Sequence, residues 1–194
     1  LMAWVEENES QRNSDLGLFI RAGLEFGLDK FGQGVGKFLA FGTYLHKDRY
    51  NKPTVEGRNQ ALINSSGFFD GKNYHTFDHK QVFEHTDHTW FETQPPAHPW
   101  DQPLPTPVES QNLEGTDFDN KYSWSKAPRY DGHAVEAGPL SRVIMNANPN
   151  NMDHQIQDPL FGDIIQNMGP SVFTRTLARV HEAPRLFEYI NQWL

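Results

Sequence analysis

Six of the chain's thirteen prolines fall between Gln94 and Pro107. Proline fixes φ and has no N–H, so neither a helix interior nor a central strand can run through such a stretch. An extended, irregular arm is predicted over about 94–107. Regular elements must therefore form on either side of it. On the N-terminal side, Asn13-Ser14-Asp15 is a helix N-cap cluster. Leu16, Phe19, Ile20, Leu24 and Leu28 follow at helical spacing, with Gly23 and Gly27 at close-packing spacing. After an apolar run at Phe38–Phe41, the stretch from Asn59 to Phe69 carries strand-like Leu62-Ile63 and Phe68-Phe69. Asp70-Gly71 signals a hairpin turn, with Tyr74–Phe77 as the return strand. A short helix and a turn are expected over His79–Phe91.

On the C-terminal side of the arm, residues 121–139 read as a hairpin and 140–148 as a short helix. Asn146–Asn151 reads as a polar turn and Asp158–Gln166 as another short helix. Phe173, Thr176, Leu177, Val180, Phe187, Ile190 and Leu194 then make one long helical face, with Pro184 inside it as a predicted kink. The expected class is α+β with helices predominating, arranged as amphipathic helices with small antiparallel hairpins. Residues 1–194 are read as a single unit. At the N-terminus, Leu1, Trp4 and Val5 read as the last turns of a longer helix, and no cap follows the final one. These ends predict an internal segment of a larger protein.

Composition removes several classes of function. The chain has no cysteine, so disulfide stapling, thiolate metal sites and thiol catalysis are absent from these residues. A formal charge of -8 gives no basic surface for nucleic acid or anionic lipid. No apolar run approaches the ~18 residues of a spanning helix, and the start has no signal-peptide pattern. Five Trp and fourteen Phe argue against disorder despite a mean hydropathy of -0.70.

Three motifs carry chemistry only in outline. Gly32-Gln33-Gly34-Val35-Gly36-Lys37 resembles a phosphate loop, but Phe31 stands where a P-loop needs Gly and Phe38 where it needs Ser or Thr. Lys37 likewise replaces the third Gly of the dinucleotide pattern, leaving a turn. His75, His79, His85 and His88 cluster with Asp78, Glu84 and Asp87, which are donors suited to zinc or iron. That makes a small His-cluster metalloprotein one candidate reading. No Gly-x-Ser-x-Gly elbow is present. The third motif is the hairpin around Asp131-Gly132. Pairing around that turn sets Tyr130 opposite His133 and Arg129 opposite Ala134, with Glu136 diagonal to Arg129 and within ion-pair reach. Pro128 puts its strand at a sheet edge.

The segment Lys121-Tyr122-Ser123-Trp124-Ser125-Lys126-Ala127-Pro128-Arg129-Tyr130-Asp131-Gly132, continued by Glu136, Gly138, Pro139 and Leu140, resembles the central signature of nickel-iron hydrogenase large subunits. Tyr122, Trp124, Pro128, Arg129, Tyr130, Asp131 and Gly132 are its structural signature. His133-Ala134 departs from the commoner pair after the turn. Asp87–Phe91, His98-Pro99-Trp100-Asp101 and Val172–Val180 resemble flanking segments of the same family.

The resemblance implies part of an enzyme that oxidises or evolves dihydrogen. In that family nickel is held by four cysteines in two Cys-x-x-Cys pairs, and two of the thiolates bridge to iron carrying cyanide and carbon monoxide. Neither pair is in this chain, so it is expected to be inactive alone and to bind no such centre. The family also holds a magnesium or iron ion whose waters are oriented by Lys and Glu side chains. Lys126 and Glu136 match those positions. Glu182-Ala183-Pro184-Arg185 imitates an Arg motif beside the iron, but Leu186 replaces its Gly, so it is read as a decoy. The implied partners are an iron-sulfur small subunit and the rest of the large subunit, with no nucleic acid and no direct membrane span. The implied location is the periplasmic face of a bacterial membrane, with the cytoplasm as the alternative. A metal-free scaffold or quinone-site subunit related to the same fold is the competing reading. The chain alone is expected to expose apolar surface and to self-associate.

Overall fold

The computed structural model describes residues 1–45, 62–109, 120–148 and 159–194. They form two compact units, one from 1–77 with 136–194 and one from 78–135. Helix makes up 41% of the structure and strand 20%. The mixture of helices and small sheets is therefore present, while a helix-dominant description is stronger than it supports.

The first unit begins with α1 (Met2–Val5), α2 (Glu9–Asn13) and α3 (Asp15–Glu25). Ser14 caps α3, its hydroxyl accepting from the Gly17 N–H. Ile20 is buried, and Leu16, Phe19, Leu24 and Leu28 pack around it, so the predicted stripe faces the core. Gly23 serves close approach, since a Cβ there would lie 2.8 Å from the Phe173 ring. Gly27 does something different from the expected packing. It takes a left-handed φ of 70° just past the end of α3 and stops it.

A three-stranded antiparallel sheet follows in the order β1 (Phe38–Leu45), β2 (Leu62–Phe69), β3 (Tyr74–His75). Phe38 pairs with Phe69 and Leu39 with Phe68, and the Asp70-Gly71 turn returns the chain as expected, with Phe69 opposite Tyr74. The return strand is shorter than predicted and ends at His75. Residues 59–61 of the predicted strand lie outside the described residues. Helices α4 (Pro139–Asn146), α5 (Pro159–Met168) and α6 (Val172–Trp193) complete the unit. Pro139 sits in the first turn of α4, where its missing N–H costs nothing. Phe38, Leu140, Ile144, Met145, Phe173 and Leu177 form the centre of the core.

Two expectations for this unit change. Asn146 is not part of a surface turn. It is fully buried, its Nδ2 donating to Asn64 Oδ1 and its Oδ1 accepting from the Ser65 N–H, both at 2.9 Å. Residues 149–151 of the predicted polar turn lie outside the described residues, as does Asp158 of the next helix. The stripe on α6 is also only half buried. Phe173 and Leu177 are covered, but Val180, Phe187 and Ile190 are 41%, 63% and 42% exposed.

In the second unit the expected helix within 79–91 is one short 3-10 turn, His79–Gln81, followed by β4 (Val82–His85). β4 pairs antiparallel with β5 (Ala127–Tyr130), setting Glu84 opposite Pro128 and Val82 opposite Tyr130. The Asp131-Gly132 turn forms with φ of 48° and 71°, but it closes on a single Tyr130–His133 bridge. The strand that follows Gly132 in the predicted hairpin is not made. β5 takes its partner from residues more than forty positions earlier instead. The proline arm is irregular as expected and is pinned by backbone bonds from Glu84 N–H to Ala97 and from Glu92 N–H to Thr106.

Candidate functional site

Glu136 is held at every polar atom. Its N–H donates to Lys37 and its carbonyl accepts from the Leu39 N–H, both at 2.8 Å, and from the Ser141 hydroxyl at 2.7 Å. Its carboxylate takes a bidentate fork from Arg175, Nε to Oε1 at 2.7 Å and Nη2 to Oε2 at 2.6 Å. The predicted ion pair of Glu136 with Arg129 is therefore replaced. Arg129 turns a guanidinium N–H onto the neighbouring Pro128 carbonyl. The carboxylate holds the Arg175 guanidinium pKa above its ordinary value, chiefly through the hydrogen bonds. Arg175 is placed by the start of α6. Ser171 and Thr174 form a reciprocal capping box, and the Val172 N–H donates to Phe31 at 2.9 Å.

In the second unit Lys126 Nζ donates to Glu84 Oε2 at 2.7 Å and to Gln102 Oε1 at 2.6 Å. Gln102 in turn donates to the Glu84 carbonyl at 2.9 Å. The proline arm thus supplies one of the lysine's partners. The other signature residues are mostly architectural. Tyr130 is buried, and its hydroxyl accepts from the Asp78 N–H at 2.9 Å. Tyr122 stacks on His88 and Trp124 packs edge-on against Phe91. Lys121 Nζ donates to the Thr89 and Phe91 carbonyls at 3.0 Å, which ties the signature to the 86–91 segment. Sequence reasoning assigned no role to Lys121, Gln102 or Arg175. Their partners are 30, 24 and 39 positions away, beyond any local pattern.

The histidines are each held by their own partners. His75 pairs with Asp70 at 2.7 Å, and His85 lies 3.5 Å from Asp87. His79 packs on His98 and Trp100, while His88 bonds to the Asn120 carbonyl. Among the described residues no group of three or more His, Cys, Asp or Glu could hold a metal ion. The His-cluster reading has no site. Glu182 belongs to a fork as well, with Arg142 donating to both its oxygens and Asn64 Nδ2 to Oε1. Among the described residues no helix is long and apolar enough to cross a membrane.

Lys126 has three N–H donors and uses two, and a carboxylate has about four acceptor sites, of which Glu136 commits two. Each can orient one further partner such as a water. Taken separately, Lys126 in the second unit and Glu136 in the first each have the hydrogen-bonding capacity to hold a water of a hard ion. The family model described as nickel-dependent hydrogenase matches residues 19–194. The chain belongs to the nickel-dependent hydrogenase family. It is 32% identical over 166 residues to the uptake hydrogenase large subunit of Afipia carboxidovorans, covering 75% of this chain and 27% of that protein. It is 43% identical over 116 residues to the uptake hydrogenase large subunit of Rhodobacter capsulatus, covering 54% of this chain and 19% of that protein. The fold matches the nickel-iron-selenium hydrogenase of D. vulgaris Hildenborough in its reduced state, with a TM-score of 0.67 at 23% identity, over 98% of this chain and 37% of that one. The chain thus corresponds to part of a nickel-iron hydrogenase large subunit, and it spans about a quarter of the first of these curated relatives.

Proposed function

We propose that this chain is the central part of a nickel-iron hydrogenase large subunit, in an enzyme that oxidises or evolves dihydrogen and exchanges electrons with an iron-sulfur small subunit. The observation that carries the reading is the signature segment 121–140 within a family match over residues 19–194. When bound in the complete subunit, the nickel-iron centre, with its cyanide and carbon monoxide ligands, supplies the heterolysis of dihydrogen. Without cysteine this chain cannot hold that centre and is inactive by itself. Its location is read as the periplasmic face of a bacterial membrane.

The contribution of these residues is positional. Among the described residues Lys126 and Glu136 each keep a donor or acceptor unused, and each by itself can orient a water of a magnesium or iron ion of the complete subunit. A hard cation keeps several waters, and groups that hold those waters tune its affinity by about 10–100-fold. The Arg175 fork fixes the Glu136 carboxylate, and Glu84 and Gln102 fix the Lys126 ammonium. The test is Glu136→Gln and Lys126→Met in the complete enzyme, followed by elemental analysis. Magnesium or iron beyond the nickel-iron pair should fall relative to nickel. Unchanged loading with unchanged activity would remove the reading.

A further inference from the structure

The Gly-rich loop has a cationic occupant from this chain. Gly32, Gly34 and Gly36 all take φ of 68°, a left-handed conformation that other residues rarely adopt. The loop presents carbonyls rather than amides. Arg175 Nη1 donates to the Gly32 carbonyl and Nη2 to the Gln33 carbonyl at 3.3 Å. With the two bonds to Glu136, four of the five guanidinium N–H groups are engaged. Gly34 is open for this reason: a Cβ there would lie 2.8 Å from Arg175 Nη2 and 3.7 Å from Glu136 Oε2. The absent P-loop chemistry and Gly34 have one explanation, a cradle of the opposite polarity.

The geometry points to Arg175 as the positioning residue for Glu136, with the Gly32–Gly36 loop as the clasp that sets the plane of its fork. The inference rests on the reading of Glu136 as a holder of an ion's waters. Arg175 touches no reacting atom. It fixes the carboxylate in one rotamer and one plane, which a lysine's point charge cannot do. Glu136 and Arg175 therefore act through the same group.

The experiment uses the complete hydrogenase, with Mg2+ alone as the probe. Magnesium retained per nickel is measured over a range of Mg2+ concentrations for wild type, Glu136→Gln, Arg175→Met and the double variant. Nickel content gauges assembly. Glu136→Gln and Arg175→Met should each weaken Mg2+ retention by about 10–100-fold, and millimolar Mg2+ should restore it. The double variant should be no weaker than Glu136→Gln. Arg175→Lys should retain an intermediate affinity, and Gly34→Ala, which keeps every charge, should weaken it by displacing the fork. If Arg175→Met fails to assemble, these last two variants are held to the same criterion. An effective Glu136→Gln beside Arg175 and Gly34 variants within twofold of wild type overturns the clasp alone. Additive losses in the double variant also overturn it, as does magnesium that falls only in step with nickel. An ineffective Glu136→Gln overturns the reading of Glu136 and the clasp with it.

Discussion

Replacing Asn146 by Ala should unfasten the first unit more than any change at a surface position. The side chain is fully buried and makes two bonds of 2.9 Å, one to Asn64 and one from the Ser65 amide. Removing it takes the acceptor from that amide and leaves Asn64 Oδ1 facing a void. Each deprived group costs ~1–3 kcal/mol, so for the two the total is about 2–6 kcal/mol before the protein relaxes. That is a large share of the ~5–15 kcal/mol of a typical domain. The assay is urea unfolding followed by circular dichroism, with hydrogen exchange at the Ser65 amide as the local readout. Asn64→Ala completes a double-mutant cycle. Because the two residues share the bond from Asn146 Nδ2 to Asn64 Oδ1, the losses should overlap by about 1–3 kcal/mol. A cost below ~1 kcal/mol with Ser65 protection unchanged would refute the reasoning, as would strict additivity.

Other outcomes are checked more simply. The Asp70 carboxyl is held well below the usual carboxylate range by the Asn73 N–H, by His75 and by the Lys72 N–H. A depressed folded pKa stabilises above the unfolded value of ~3.9 and is lost as pH falls below it. The melting midpoint of wild type should therefore exceed that of Asp70→Asn near neutral pH, and the gap should close on acidification. A gap independent of pH would count against it. The chain by itself should self-associate through exposed apolar side chains such as Trp100, Trp124 and Phe187, which are 82%, 63% and 63% exposed. Analytical ultracentrifugation should show a mass that rises with concentration, and Phe187→Ser should reduce it. A monomer at all concentrations would contradict this.

What could be read from the sequence was local. Ser14 as a cap, Asp70-Gly71 and Asp131-Gly132 as turns, the short helix after Pro139 and the long final helix each declare themselves within a few residues. What could not be read was pairing at a distance. β5 could have closed a hairpin with the residues after Gly132, and nothing local disfavours that. It pairs with β4 instead because Glu84 and Gln102 hold Lys126 and because Tyr130 seals onto Asp78. Asn146 looked like the first residue of a polar run, and only the opposing Asn64 makes its burial tolerable. At the site, the family resemblance singled out Glu136. Its partner was invisible because an arginine on a distant helix carries no spacing signal.

Pro184 gives the final helix a seam. With no N–H it cannot bond the Val180 carbonyl, so the ladder of α6 is interrupted there. The last tether before the seam is Glu182, gripped by Arg142 from α4. Everything N-terminal to it is anchored by Phe173, Leu177 and Ala178 in the core. α6 is thus one rod in outline with one rung of its ladder missing. The block that carries Arg175 lies wholly on the core side of that gap, so the fork to Glu136 does not depend on the missing bond.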